Sequence, residues 1–331
     1  MDTVKSKNSK VYYRHQYWNN IPIVLEYICE NYTGNKQKWW IADFKERYCE
    51  QPFEHALVMM CGNGWVEREL YDKGIARQFS AFDYLEDLLE KARAKKAGRR
   101  IHYFQADANL LELEENKYDL IVNVAAMHHV QYINRMCRML CWALKPEGVF
   151  VNTDYIGPHR NQYSQRHWHY VKKINAQLPQ QYRKQSLNKP RLGTMLHMDP
   201  SEAIHSELTI ETITRYFDIV ERHDTNGGVA YPLLTRNRNI SKELTPDMEK
   251  WVQYILQEDR KYTEAKKVPP LFSYFIAHPR KTVLQNDALL NACQLEENAR
   301  EAKAAKRDGI YSLSAYYQYR VKKWYRQTFK S

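Results

Sequence analysis

Hydrophobic positions along this chain switch between two spacings. Short apolar, strand-like runs recur near 56–60, 78–82, 101–105, 118–124 and 148–154. Between them, at 65–73, 85–97 and 132–143, apolar residues fall three and four apart. Short apolar runs suit buried strands, and the three-four spacing suits helices that pack on them. The alternation predicts an α/β fold: a mainly parallel sheet with helices on both faces.

The flanking segments read differently. Ile23 to Asn31 predicts a helix ended by Thr33-Gly34-Asn35, and a second short helix carries Trp39, Trp40, Phe44 and Tyr48 up to the Gln51-Pro52 break. Residues 1–53, aromatic-rich from residue 11, thus form an N-terminal helical cap before a core at 54–155. Residues 156–198 are rich in Tyr, Gln, His and Arg with no strand pattern, and predict an inserted lid over the carboxyl edge of the sheet. Asp199-Pro200-Ser201-Glu202 predicts a helix start, with Asp199 as N-cap and the helix running to Tyr216. Phe217 to Glu221 follows as a sixth strand, Gly227-Gly228 precedes an apolar run at 229–234, Thr245-Pro246 opens a helix to Tyr262, and Phe272 to Ala277 reads as the last core strand. Residues 199–280 therefore complete the core. Residues 281–331 form a helical tail, with a helix near 287–307, a break at Asp308-Gly309 and a terminal segment at 311–330.

Composition narrows the class. Of 331 residues, 44% are hydrophobic and 27% charged, as in soluble globular proteins. No apolar run is long enough to span a bilayer, and the polar start MDTVKSKNSK lacks the apolar stretch of a secretory signal. The six cysteines are scattered without a CxxC pair, so a reduced, cytoplasmic protein is expected. Net charge is +11, and +7 of it lies in residues 303–331, where eight Lys or Arg face the single acid Asp308. As a helix, 311–330 would align Leu313, Tyr317, Val321, Trp324 and Thr328, with Tyr316 and Tyr325 beside them and basic residues around the rest. That pattern suits an anionic membrane surface on the inner face, or a helix packed on the body; nucleic acid ranks behind both because the body lacks a comparable basic excess.

The most specific chemistry lies in Ala56–Leu70, where a strand runs into Cys61-Gly62-Asn63-Gly64 and then a helix start. A glycine turn lets a ligand approach the backbone, and Asp83 after the next strand can accept hydrogen bonds from a ribose diol. The third glycine of a dinucleotide fingerprint is missing, because Trp65, Val66 and Glu67 follow.

With Asp83 and its neighbour Tyr84, Asp107-Ala108-Asn109 after the third strand, Tyr118 to Val122 with Met127-His128-His129-Val130 after the fourth, and Leu144-Lys145-Pro146-Glu147-Gly148 before the fifth, residues 54–155 resemble a class I S-adenosylmethionine-dependent methyltransferase. The resemblance implies a Rossmann-like sheet whose last strand is antiparallel, and S-adenosyl-L-methionine as cofactor. It places Cys61, Gly62, Asn63 and Gly64 at the methionine moiety, Asp83 at the ribose, Asp107 and Ala108 at the adenine, and the strand end from Asn123 to Ala126 beneath the sulfonium, with Tyr84 and Asn109 as further cofactor-binding residues. The family's pattern has glycine at Met60 and an acid at Val58, which leaves a non-catalytic binding module as an alternative.

Asp154 to Gln162, Leu178 to Arg183 and Asp199 to Ala203 are similar to stretches of a bacterial methyltransferase subgroup that accompanies surface-polysaccharide enzymes. That similarity implies O-methylation of a sugar or glycan intermediate, with an RNA or another small molecule as alternative acceptor.

Methyl transfer to a hydroxyl needs alignment and a proton acceptor. Ligands bind beyond the carboxyl ends of parallel strands. The catalytic candidates are therefore His128 and His129 after the fourth strand and Asp154 at the end of the fifth. Tyr155, Arg160, Gln162, Tyr163 and Glu202 are the candidate acceptor-binding residues. No metal site is expected: His167-Trp168-His169 is spaced for a strand and no second ligand pair accompanies it.

Overall fold

The computed structural model of the protein describes residues 16–329, with only some side chains from residue 310 onward. The aromatic positions at 11–15 lie outside it, as do the side chains of Leu313, Tyr316, Trp324, Tyr325 and Thr328 and of the basic residues from Arg320 to Lys330.

Seven strands form one sheet: β1 Phe53–Val58, β2 Ala76–Asp83, β3 Ile101–Gln105, β4 Tyr118–Val124, β5 Leu144–Tyr155, β6 Phe217–Thr225 and β7 Phe272–Pro279. Their order is β3-β2-β1-β4-β5-β7-β6. β1 to β5 pair in parallel, and β7 runs antiparallel to both β5 and β6. Successive residues bury on opposite faces: Leu57, Ile121, Phe150 and Phe275 enter one core, and Val58, Val122, Val151 and Tyr274 the other. Both faces are covered, so the central strands carry few polar positions.

Four α-helices precede β4. They are α1 Pro22–Thr33, α2 Trp40–Tyr48, α3 Trp65–Asp72 and α4 Glu86–Ala94. α5 Ile133–Ala143 crosses from β4 to β5 and buries Ile133, Met136, Cys137 and Leu140, a three-four stripe, in the core of Leu57 and Phe150. The N-terminal cap covers the opposite core, where Trp40 and Tyr32 lie against Tyr274. All six cysteines are free thiols.

The insertion holds α6 Gln165–Gln177, capped by the Ser164 hydroxyl at the His167 amide, and α7 Leu192–Met198. α8 Thr209–Tyr216, α9 Ala230–Leu234 and α10 Pro246–Glu264 follow, with Pro246 and the Thr245 cap at the start of α10 as the sequence predicts.

Several expectations are corrected. The helix predicted from Asp199 begins ten residues later: 199–205 is irregular, and α8 starts at Thr209. Asp199 Oδ1 accepts from Ser201, both amide and hydroxyl, which closes a local turn in place of a helix cap. The 229–234 run is largely helix α9. His167 and His169 lie on a helix, and His167 Nε2 bonds the Gly228 carbonyl at 2.6 Å. Lys145 to Gly148 sits inside β5 as a register irregularity. No break occurs at Asp308-Gly309, because α11 runs unbroken from Asp287 to Phe329.

Candidate functional site

Strand order reverses between β1 and β4, and the carboxyl ends of strands at such a switch are where ligands settle on open α/β sheets. Two loops meet there. The first is the glycine turn after β1. The Met59 amide donates to Val122 O on one side and the Cys61 amide to Phe82 O on the other, so the chain bridges both neighbouring strands before turning. Gly62 and Gly64 have φ of 57° and 77°. A Cβ on Gly64 would come within 2.6 Å of the Tyr103 hydroxyl and 2.7 Å of Glu67 Oε1, so glycine is required by conformation and by space. Met60 also adopts a left-handed φ, 41°, a conformation that glycine takes without strain. The Asn63 carbonyl accepts from Arg68 and helps fix the turn.

Asp83 stands across from this turn at the end of β2. Its carboxylate accepts the amides of Gly62 and Leu85, each at 2.9 Å. Burial raises its pKa and these backbone donors oppose the rise. A carboxylate offers about four acceptor positions, so capacity remains for a ribose diol. Tyr84 beside it is exposed. Asp107 Oδ1 turns back to the Asn109 amide, with Ala108 buried between them. This donor and acceptor set, a glycine turn with carboxylates after β2 and β3, fits an adenosine-type cofactor.

Two residues expected at the cofactor do other work. Asn109 is buried, and its Oδ1 accepts the amides of Gln131 and Tyr132, which braces the loop after β4. Asn123 is fully buried. Its Nδ2 donates to Asn152 and, at 2.8 Å, to Asp154, and its Oδ1 accepts from Met127. The short distance from β4 to β5 in a parallel pair makes this bracing possible.

The second loop carries the histidines on a tight turn, Met127–His129, with ring centroids 4.2 Å apart. Asp154 Oδ1 lies 2.6 Å from His128 Nδ1, and Oδ2 accepts the His128 amide. Asp154 is buried and acts through His128 as its orienting group. Burial pushes the His128 imidazole down, but the Asp154 carboxylate overrides this and lifts it to about 9. Burial acts to raise Asp154, and the adjacent His128 carries it the other way, below its ordinary value. Burial, then the neighbouring His128, lowers His129.

Glu202 completes the cluster. Its Oε2 lies 3.8 Å from His128 Nε2 and 3.9 Å from His129 Nε2. His129 Nδ1 meets the Ser201 hydroxyl at 3.0 Å. Glu202 reaches these positions because 199–205 is not helical, and because the Ile204 amide bonds the His128 carbonyl.

The acceptor-side residues divide. Tyr155 and Tyr163 form a buried aromatic wall, Tyr155 edge-on to His128 and Tyr163 stacked on Trp168. Gln162 Nε2 donates to the carbonyls of Arg160 and Pro190 and holds the insertion together. Arg160 is fully buried, with φ of 53°, and its guanidinium donates to Pro200 O and to Asp308 of α11. Both hold the framework of the insertion through these bonds. Sequence reasoning missed Ser201, Asp308 and Tyr231. The Tyr231 hydroxyl, raised well above its ordinary pKa by burial, also feels the Glu202 carboxylate and packs edge-on against Phe272. None of the three belongs to a periodic pattern that could have marked it.

Residues 57–152 match a family model described as a methyltransferase domain. Human mitochondrial arginine-hydroxylase NDUFAF5 is 30% identical over 107 residues, 32% of this chain and 30% of that protein. Demethylmenaquinone methyltransferase of Leptospira interrogans is 27% identical over 112 residues, 32% of this chain and 45% of that enzyme. The chain thus spans less than half the length of these curated relatives. An S-adenosylmethionine-dependent methyltransferase structure from Mesorhizobium loti aligns with 69% of this chain and 91% of its own, at 19% identity and a TM-score of 0.44. The matched domain, the sheet order and the antiparallel β7 make this the Rossmann-like class I methyltransferase fold with helical extensions.

Proposed function

We propose, on the premise of a class I methyltransferase fold whose cofactor is S-adenosyl-L-methionine, that the protein methylates an oxygen of a small polyhydroxylated acceptor of the sugar or glycan class. The cofactor, when bound, supplies an electrophilic methyl group on a sulfonium with a good leaving group. Gly62, Gly64, Asp83 and Asp107 are the residues that would hold it. What remains for the protein is to align the acceptor and take up a proton.

One observation carries the reading: the Asp154–His128 pair at the carboxyl ends of β4 and β5, beside the glycine turn. Asp154 fixes Nδ1, so Nε2 faces Glu202. An acceptor hydroxyl bound between them gives its proton to the Glu202 carboxylate as its oxygen is methylated, while His128, held by Asp154, orients that oxygen. The Tyr155, Tyr163 and Tyr231 wall offers apolar faces with hydroxyl groups, which suits a sugar ring.

Calorimetry with S-adenosylhomocysteine on the full chain tests the cofactor half. Mass spectrometry of candidate sugars incubated with the protein and cofactor tests the acceptor. A folded protein that binds no S-adenosylhomocysteine sinks the proposal.

The exposed Tyr311, Tyr317 and Val321 on α11, within the basic tail, favour a peripheral position on an anionic membrane surface. No helix among the described residues is long and apolar enough to cross a membrane. Equal flotation with anionic vesicles of the full chain and of a chain in which the basic residues beyond Gly309 are changed to Gln would count against this.

A further inference from the structure

We propose that His128, His129 and Glu202 form a binding site for one divalent transition-metal ion. Among the described residues, their ligand atoms lie within 4.8 Å of one another. They come from two loops far apart in sequence, brought together by the Ile204 amide on the His128 carbonyl. Metal–nitrogen and metal–oxygen bonds of about 2.0–2.2 Å place ligand atoms around one ion roughly 3–4 Å apart. The two Nε2-to-Glu202 separations, 3.8 and 3.9 Å, fall in that interval.

The groups behind the ligands strengthen the case. A metal-binding histidine usually has its second ring nitrogen engaged by a carboxylate, carbonyl or other polar group, which fixes the ring and its tautomer. Here Asp154 engages Nδ1 of His128, and Ser201, itself bonded to Asp199, engages Nδ1 of His129. Both rings therefore turn Nε2 toward the same carboxylate. The backbone of that carboxylate is pinned in turn, because buried Arg160 bonds the Pro200 carbonyl. Two imidazoles and one carboxylate favour ions of the cobalt, iron and zinc type over magnesium or calcium.

The ion would leave open positions toward the acceptor side, where a hydroxyl could bind it directly. In that case the hydroxyl proton passes to water as its oxygen takes the methyl group, and His128 serves as a ligand. The inference rests on the three side chains and their partners, and metal binding is measured apart from cofactor binding.

The test uses tag-free full-length protein stripped by dialysis against a chelator and titrated with Co²⁺. One ion per chain, with visible absorption bands of a nitrogen-containing site, is expected. Glu202→Gln and His129→Ala should each weaken Co²⁺ binding at least tenfold, and Asp154→Asn should weaken it about tenfold or more. Mg²⁺ in excess should not displace Co²⁺. S-adenosylhomocysteine calorimetry on the same samples reports folding and the cofactor site separately. No stoichiometric Co²⁺, or Co²⁺ binding unchanged in both ligand variants, overturns the proposal whether or not S-adenosylhomocysteine binds.

Discussion

Arg160 and Asp308 stand 148 residues apart in the chain and 3.2 Å apart in the fold. The Arg160 side chain is buried, and its other donor group holds the Pro200 carbonyl of the loop that presents Glu202. Through this pair the C-terminal helix supports a site whose residues lie in the middle of the sequence. Glu297 and Glu301 of the same helix act alongside, capping the amides of Asn134 and Arg135 and pairing with His205.

Removing one partner of a buried ion pair strands the other, at a cost of about 3–5 kcal/mol. Asp308→Leu should therefore lower the unfolding free energy by about that amount, and Arg160→Met by less, because Asp308 is partly exposed. Replacing both, as Arg160→Met with Asp308→Leu, should recover much of it, because no charge is left buried. Urea unfolding of the four proteins measures the coupling, and additive single effects would show that the pair does not interact.

Gly64→Ala combines two penalties. A left-handed backbone costs an L-residue about 1–2 kcal/mol. The added methyl also meets Tyr103, Glu67 and Ala92 at 2.6 to 2.8 Å, and overpacking costs about 1–3 kcal/mol more. Denaturant unfolding should show a loss of several kcal/mol and S-adenosylhomocysteine binding should weaken; a loss below about 1 kcal/mol would mean that the turn relaxes freely.

Glu67 gives the protein a pH dependence. Its carboxyl is fully buried beside the Tyr103 hydroxyl, and burial raises it from 4.5 to about 7. The folded state thus holds the proton more tightly than the unfolded state. The associated stability is complete below the unfolded value and is lost as pH rises through about 7, an effect of about 3 kcal/mol. Thermal unfolding from about pH 5 to about pH 8 should show a steeper decline for the wild type than for Glu67→Gln. Parallel profiles would contradict this.

Met60→Gly should leave stability within about 1 kcal/mol of the wild type. Relief of the left-handed backbone contributes about 1–2 kcal/mol and the added freedom of glycine when unfolded removes about 0.5–1 kcal/mol. The partly buried Met60 side chain forfeits some packing as well. A larger loss in urea unfolding would mean that this packing dominates at Met60.

Much of the sheet was legible because each strand's identity is local. The runs at 101–105 and 118–124 coincide with β3 and β4, and the glycine turn could be read because φ at Gly62 and Gly64 is set by chain geometry near β1. The segment at 199–205 was not legible. Asp-Pro-Ser-Glu satisfies a helix cap locally, yet Arg160, His128 and Asp308, all distant in sequence, hold it in an irregular form. Arg160 and Gln162 looked like ligands for the same reason: a polar residue in a loop does not reveal whether its partner is a solute or a buried carbonyl.

By itself, then, the sequence determined the alternation of strands and helices, the glycine turn with Asp83 after the next strand, and the positions of His128, His129 and Asp154 beyond the strand ends. Those features follow from periodicity and from residues a few positions apart. Only the tertiary structure decided that Asp154 serves His128, that Asn109 and Asn123 brace loops, and that Glu202 joins the two histidines. Burial and hydrogen-bond partnership are properties of neighbours in space, and here those neighbours include pairs from 22 to 148 residues apart.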